Sequence, residues 1–312
     1  MAGKQPYTPL FTIGICAYNE EENIGHLLGN LLTQQHIPID SEIIVVCSGC
    51  TDKTPYIVEE FAKKDSRVKL IIEKERMGKS QAVNTLLSNA KGNIIVVVSA
   101  DTQPAPGSLL KLIKSLKNDI AGACAKTIPV NSEQTIMSSC YNFLWRVHNR
   151  LLHYLARKNA LGHLGGDMWA IRKGIVSYIP NTVINDDAYI GTILKKKGWR
   201  ITFVPEAEVF IKGPVTPLAY IQQRVRVIVG HRQIKEIVGV EPTTIGALIF
   251  KKPLFSLRIL LDEVRTYKLT YSLQFFVGIC LEVLAQILAL IRLREKQKFV
   301  KWKQIRSTKS FR

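Results

Sequence analysis

Acidic residues are scarce in this sequence: 25 Asp and Glu stand against 43 Lys and Arg over 312 residues, a formal charge of +18. Long apolar runs are nearly missing as well. Only residues 270–291 approach the roughly 20 apolar residues that a bilayer span needs, and Gln274, Glu282 and Gln286 interrupt them. A polytopic membrane protein is therefore excluded. Aromatics make up 8% of the chain, and nothing interleaves them with basic residues on a strand pattern. A zinc module and a helix-turn-helix signal are also missing, so the positive charge alone is a poor argument for nucleic acid. The six cysteines include one close pair, Cys47-x-x-Cys50, with no second pair and no paired-histidine spacing to complete a zinc site. Residues 1–10 are polar and contain proline, unlike a secretory leader, so the thiols are expected to be reduced, in a cytosolic setting. What is present is a 46% apolar share, enough to exclude global disorder and to build one large domain or two ordinary ones.

The charge is unevenly placed. Residues 292–312 carry nine Lys and Arg against the single acid Glu295, and residues 251–291 carry five against three, so +10 of the +18 lies beyond Phe250. A basic tail beside an apolar stretch reads as a membrane-surface attachment. Residues 253–268 mix apolar clusters with Arg258, Asp262 and Glu263, as an interfacial helix would. Residues 271–291 could span a bilayer by length, but Glu282 near the centre costs about 3 kcal/mol on insertion scales. In-plane or hairpin attachment is the expectation, with packing of these helices on the rest of the chain as the alternative.

The first 210 residues alternate strand and helix signals. Apolar runs at 11–17, 42–46, 69–72 and 94–98 are separated by helical patterns at 54–64 and 80–90 and by Leu27, Leu28, Leu31 and Leu32 on one helical face. Strands that are apolar on both sides imply a parallel sheet covered by helices on both faces, wound right-handedly. Ligands of such folds bind outside the carboxyl ends of the strands. Asp101 stands at one of these ends, two residues after Ser99. It reads either as a cation ligand or as the cap of a helix expected over 104–116. Asp186-Asp187 precedes a helix expected over 188–197, where capping and general-base roles are both open. A helical region over 134–158 leads into a glycine-rich loop, Gly162-His163-Leu164-Gly165-Gly166-Asp167, whose glycines let backbone approach a ligand. On a helix after Pro217, Gln223 and Arg226 share a face that can grip phosphate or sugar.

Taken in order, these segments resemble a known family. Ala17-Tyr18-Asn19-Glu20 and Val45-Val46-Cys47-Ser48-Gly49-Cys50-Thr51-Asp52 are similar to the opening of inverting family 2 glycosyltransferases with the GT-A fold. Met77-Gly78-Lys79-Ser80-Gln81-Ala82-Val83-Asn84 resembles that family's glycine-lysine-alanine-asparagine segment. Ser99-Ala100-Asp101 falls at its D-x-D metal motif and Asp186-Asp187 at its catalytic E-D pair. Gly198-Trp199-Arg200 to Ala207 is similar to the stretch beyond that pair, and Gln223-x-x-Arg226 to the Q-x-x-R-W of membrane-associated members. The resemblance covers residues 9–232 or so.

It implies an α/β GT-A fold, Rossmann-like with a mixed, mostly parallel sheet, over residues 1–240. A helical, basic segment over 241–312 follows, placing the protein on the cytoplasmic face of a membrane. The implied reaction is metal-dependent, inverting transfer of sugar from a nucleotide-diphosphate sugar to a hydroxyl or lipid-phosphate acceptor, and Val227 together with the lack of a set of transmembrane helices points to transfer of a single sugar. Tyr18, Asn19, Glu20, Asp52, Lys79, Asn84, Gln223 and Arg226 are the implied donor-binding residues. Asp101 is the implied ligand of Mg2+ or Mn2+. Asp187 is the implied base, beside Asp186. The implied partners are the donor, a sugar or lipid-linked acceptor and an anionic membrane, without nucleic acid. Three positions depart from the family pattern. Cys47-Ser48 stand where two acids are common, Ser99 replaces the first acid of D-x-D, and Val227 replaces the tryptophan of processive synthases. A nucleotidyltransferase of similar fold, or a basic nucleic-acid-binding protein, are the competing readings.

Overall fold

A computed structural model describes residues 10–131, 135–240 and 272–294, together with positions 242, 254, 258, 259 and 262. Strands β1 (Phe11–Ala17), β2 (Glu42–Ser48), β3 (Val68–Glu73) and β4 (Ile94–Ser99) alternate with helices α1 (Ile24–Gln34), α2 (Thr54–Lys64) and α3 (Lys79–Asn89). β1 pairs in parallel with β2 and β4, and β2 with β3. Their β-branched side chains point alternately to two helical layers. Ile13, Ile15, Val45, Val96 and Val98 meet Leu27, Leu28 and Leu31 of α1 on one side. Ile44, Val46, Ile95 and Val97 meet Val83 and Leu86 of α3 on the other. Fully burying each such side chain contributes roughly 1.5–3 kcal/mol.

The second half departs from a simple parallel repeat. It comprises β5 (Thr102–Pro104), α4 (Ser108–Lys114), β6 (Ile120–Pro129), α5 (Ile136–Arg157), β7 (Met168–Arg172), α6 (Asp186–Lys196), β8 (Arg200–Ile211) and α7 (Pro217–Val238). The eight strands form one sheet in the order β3-β2-β1-β4-β7-β6-β8-β5. β7 runs antiparallel to both β4 and β6, β5 antiparallel to β8, and β6 parallel to β8. The sheet is thus mixed and mostly parallel, with helices on both faces. Because β7 is reversed, its first residue sits at the same sheet edge as the last residue of β4.

Two local expectations change. The helix expected from Pro104 starts at Ser108, because Pro104 is taken into β5. Asp186 and Asp187 lie inside the first turn of α6, and Asn185 is the capping position, with no side-chain cap bond. Neither acid is the cap residue itself, but both stand in the first turn, where their charge complements the helix dipole.

A further helix, α8 (Ser272–Arg294), packs against α5 and α7. Ala285 and Ala289 are fully buried against Val225, Ile228 and Val229, and Leu281 meets Tyr141 and Tyr220. Glu282 is not isolated. It accepts hydrogen bonds from Arg224 Nε at 2.6 Å, Arg224 Nη2 at 3.1 Å and Tyr220 Oη at 2.7 Å. The opposite face of the helix exposes Phe276, Ile279, Val283, Leu284, Ile287, Leu290 and Ile291. Residues 276–293 are long and apolar enough to cross a membrane, and 17% of that window is buried in the protein. The interfacial helix expected over 253–268 and the basic run beyond Arg294 lie outside the described residues, apart from Leu254, Arg258, Ile259 and Asp262.

Candidate active site

The carboxyl ends of β1, β2 and β4, the start of β7 and the helices α3, α5, α6, α7 and α8 enclose a cleft of about 490 Å³. Tyr18, Glu20, Lys79, Asp101, Asp186, Asp187, Gln223 and Arg226 all line it. Residues up to 208 positions apart in the sequence are thereby brought into one space. Three other expected donor-binding residues are spent on protein partners. Asn19, at φ 51°, exchanges hydrogen bonds with Thr51. Asp52 accepts the backbone N–H groups of Glu21 and Thr54 at 3.1 and 3.0 Å. Asn84 clamps Ile179 by donating to its carbonyl at 2.7 Å and accepting its N–H at 2.8 Å. These three hold the loops around the cleft rather than line it.

At the end formed by β1 and β2, the guanidinium of Arg76 lies 4.0 Å over the Tyr18 ring. Gly49 has φ 63°, and a Cβ there would collide with the Arg76 backbone. Glycine is therefore required for this loop pair to close. Ser48 Oγ, on the cleft wall, is buried without a hydrogen-bond partner among the described residues. Gly78, at φ 103°, turns the chain into α3 and sets Lys79 in its first turn.

Lys79 Nζ lies 3.3 Å from Asp186 Oδ1. Burial in the cleft opposes the ammonium charge, but the carboxylates of Asp186 and Asp187 outweigh it and hold the lysine pKa above its usual value. Asp187 points at the cleft and makes no such direct ion pair among the described residues. Burial and the neighbouring Asp186 push its carboxyl up to about 7, against the opposing pull of Lys79. Two adjacent acids thus differ: Asp186 is paired with a cation, and the Asp187 carboxyl is raised to about 7.

Asp101 shares the cleft with Asp167, the final residue of the glycine-rich loop. Asp167 Oδ2 accepts from Thr127 Oγ1 at 2.9 Å, and burial raises its pKa to about 6 against that bond, with Asp101 adding to the rise. Reading Met168–Arg172 as a strand would have been the signal that exposes it. The carboxylate donors are hard oxygens of the kind that suit Mg2+ or Mn2+. Among the described residues no three or more His, Cys, Asp or Glu form a ready-made metal cage. A cation here would need phosphate and water oxygens to complete its shell.

Another part of the cleft is lined by aromatic rings. Trp145 and His148 of α5 meet edge to face at 5.2 Å, and His163 lies 5.8 Å from His148 and 6.0 Å from His231. Burial lowers His148 to about 3 and His163 to about 4 and also lowers His231, so all three imidazoles are neutral at physiological pH. Gln286 of α8 also lines the cleft. All six cysteines are free thiols. Burial pushes Cys16, on the cleft wall, up to about 12, which keeps it protonated and unreactive.

The model of the family described as "Glycosyl transferase family 2" matches residues 12–179. The chain is 27% identical over 239 residues to the probable glycosyltransferase YdaM of Bacillus subtilis, covering 72% of this chain and 56% of that protein. It is 33% identical over 117 residues to a beta-monoglucosyldiacylglycerol synthase of Nostoc sp., covering 37% of this chain and 25% of the synthase. The chain thus spans about half, or less, of the length of these curated relatives. Among solved structures it superimposes on the mannosyltransferase PcManGT of Pyrobaculum calidifontis, in complex with GDP-Man and Mn2+, with a TM-score of 0.68. That match has 22% identity and covers 94% of this chain and 89% of the other. The likeness is one of fold: a GT-A sheet with flanking helices.

Proposed function

Since the chain belongs to glycosyl transferase family 2, we propose that its cleft transfers a single sugar from a nucleotide-diphosphate sugar to an acceptor hydroxyl, with inversion. The observation that carries this reading is the unequal pair Asp186 and Asp187. Asp186 is tied to Lys79, while Asp187 has a proton affinity near neutral pH and faces the cleft. Asp187 takes the acceptor's hydroxyl proton as that oxygen attacks the anomeric carbon. The bond from that carbon to the diphosphate oxygen breaks, and the nucleoside diphosphate leaves from the opposite side. Tyr18, Glu20 and Arg76 bracket the nucleoside end, and Lys79 and Arg226 supply positive charge toward the diphosphate. Gln223 adds an amide there.

Asp101 would hold Mg2+ or Mn2+, which when bound offsets charge developing on the leaving diphosphate. The GDP-Man and Mn2+ in the solved neighbour favour a divalent ion without choosing between the two metals. The neutral imidazoles and Trp145 suit a sugar ring on the acceptor side, as aromatic and uncharged polar walls do.

The proposed organisation is a catalytic unit over 1–240 and a C-terminal segment over 241–312 whose helix α8 closes one wall of the cleft. The exposed apolar face of α8 would rest on the anionic cytoplasmic leaflet, where the basic residues beyond Leu293 meet lipid headgroups. A lipid-linked acceptor fits that placement. The relative from Nostoc sp. is named as a glycolipid synthase, which favours the same choice.

The test is a screen of UDP-, GDP- and dTDP-sugars with Mg2+ or Mn2+, following release of free nucleoside diphosphate. The reading expects such release from one donor class and its loss in Asp101→Ala. Release of pyrophosphate would assign a nucleotidyltransferase instead. Salt-sensitive RNA binding without donor turnover would assign the basic nucleic-acid-binding alternative.

A further inference from the structure

The family's D-x-D motif begins here with Ser99, which has no carboxylate. The sheet brings one to the same place from another strand. β4 and β7 are antiparallel with Val98 opposite Met168, and the next residues outward are Ser99 and Asp167. Their backbones are joined directly, the Ser99 N–H donating to the Asp167 carbonyl at 2.9 Å. Directly opposed residues of an antiparallel pair carry their side chains on the same face, with Cβ atoms about 4.5–5.5 Å apart. Asp167 therefore projects to the side of the sheet edge on which Ser99 projects, next to Asp101. Ser99, Asp101 and Asp167 all line the cleft. Thr127 Oγ1 holds Asp167 Oδ2 from behind at 2.9 Å. An acid at this position costs desolvation and stands among like charges, an arrangement that a bound cation would relieve.

We propose that Asp167 supplies, from across the β4–β7 pairing, the divalent-cation carboxylate that Ser99 lacks, so that Asp101 and Asp167 together hold the metal of the donor complex. This inference rests on the metal-dependent reading above and extends it to a residue outside the linear motif.

The experiment is Mn2+ binding to the full 312-residue chain, followed by electron paramagnetic resonance with UDP and, separately, GDP present and no sugar donor. The proteins are wild type, Asp101→Asn, Asp167→Asn and the double variant Ser99→Asp/Asp167→Asn. The amide introduced by Asp167→Asn retains an oxygen that Thr127 can bond, which limits structural damage. Removing a ligand should cost at least what removing an outer partner does, so Asp167→Asn is expected to weaken Mn2+ by roughly 10–100-fold. Moving the carboxylate to position 99 should restore most of that loss. Wild-type affinity in Asp167→Asn would overturn the inference and leave the metal-dependent reading intact. A loss that the double variant does not restore would also overturn it, because a supporting or sugar-contacting role is not rescued from position 99. If wild type bound no Mn2+ with either nucleotide, the metal-dependent reading itself would fall, and the inference with it.

Discussion

Lys79 Nζ lies 3.3 Å from Asp186 Oδ1, so that of two neighbouring acids the first is ion-paired and the second, among the described residues, is not. Asp186 is 2% exposed and has its counter-charge at hand. Asp187, one residue on, feels Lys79 only as a moderating field against burial and Asp186. The pH dependence of turnover follows from this. The proposed base, Asp187, must be ionised, so kcat/KM is expected to rise with pH and level off above a limb near 7, the value to which its carboxyl is raised in the free protein. Replacing Lys79 by Met removes the charge that lowers this carboxyl, so the limb moves to higher pH. A pH–rate profile of wild type and Lys79→Met checks both statements, and a limb that stayed put would separate Lys79 from the base.

The Arg224–Glu282 pair predicts how helix α8 is attached. Arg224 donates two bonds to Glu282 and Tyr220 a third, with the two charged side chains 19% and 27% exposed. Glu282→Ala leaves Arg224 partly buried without its partner. A cost of about 1–3 kcal/mol is expected for charged hydrogen bonds of this kind. The loss should be local. Amide exchange in 272–294 should accelerate while β1–β4 stay protected, and turnover should fall because Gln286 belongs to the cleft wall.

The outer face of the same helix predicts a surface interaction. Phe276, Val283 and Ile287 are each at least half exposed and recur at helical spacing. Changing all three to Ser should reduce cosedimentation with vesicles of phosphatidylglycerol in phosphatidylcholine while leaving donor hydrolysis in solution unchanged. Equal cosedimentation of wild type and variant would remove the helix from any membrane contact.

Glu42 predicts the acid limit of stability. It is 2% exposed and accepts from Thr12 Oγ1 at 2.6 Å and the Lys91 N–H at 2.6 Å, and it also pairs with Lys69. Burial alone would raise its pKa, yet the bonds from Lys69, Thr12 and Lys91 outweigh burial and lower it. A lowered folded-state pKa means that the stabilisation is complete above the ordinary Glu value of about 4.3 and is lost as pH falls through the folded value. Glu42→Gln should therefore cost about 1–3 kcal/mol in urea unfolding at pH 7. The difference from wild type should shrink below about pH 4.

Much of the first hundred residues could be read directly. β1, β2 and β4 are β-branched runs, and α1 carries leucines on one face, so local pattern and tertiary role agree. The later strands were hidden for a physical reason. β6 reads Ile-Ala-Gly-Ala-Cys-Ala-Lys-Thr-Ile-Pro, β7 is five residues long, and β8 has charged residues within it. β6 and β7 owe their strand character to pairing partners more than to propensity, whereas β8 has strand-forming residues interrupted by Pro205, Glu206 and Glu208. The same limit applies to the site. Asp101, Asp186 and Asp187 are legible because they belong to linear motifs. Asp167 is defined by a cross-strand neighbour, and the role of Glu282 by an arginine 58 residues earlier. Asn84 and Asp52 carried motif resemblance, but their side chains are occupied by loop backbone, a use that spacing alone does not reveal.

Asp187 as the base of an inverting sugar transfer is tested most directly by the turnover of Asp187→Asn at saturating donor, beside the anomeric configuration of the wild-type product. A drop in kcat of roughly 10²–10⁴-fold with donor affinity retained is expected, together with a product of inverted configuration. Undiminished turnover in Asp187→Asn, or a product that retains the donor's anomeric configuration, would contradict it.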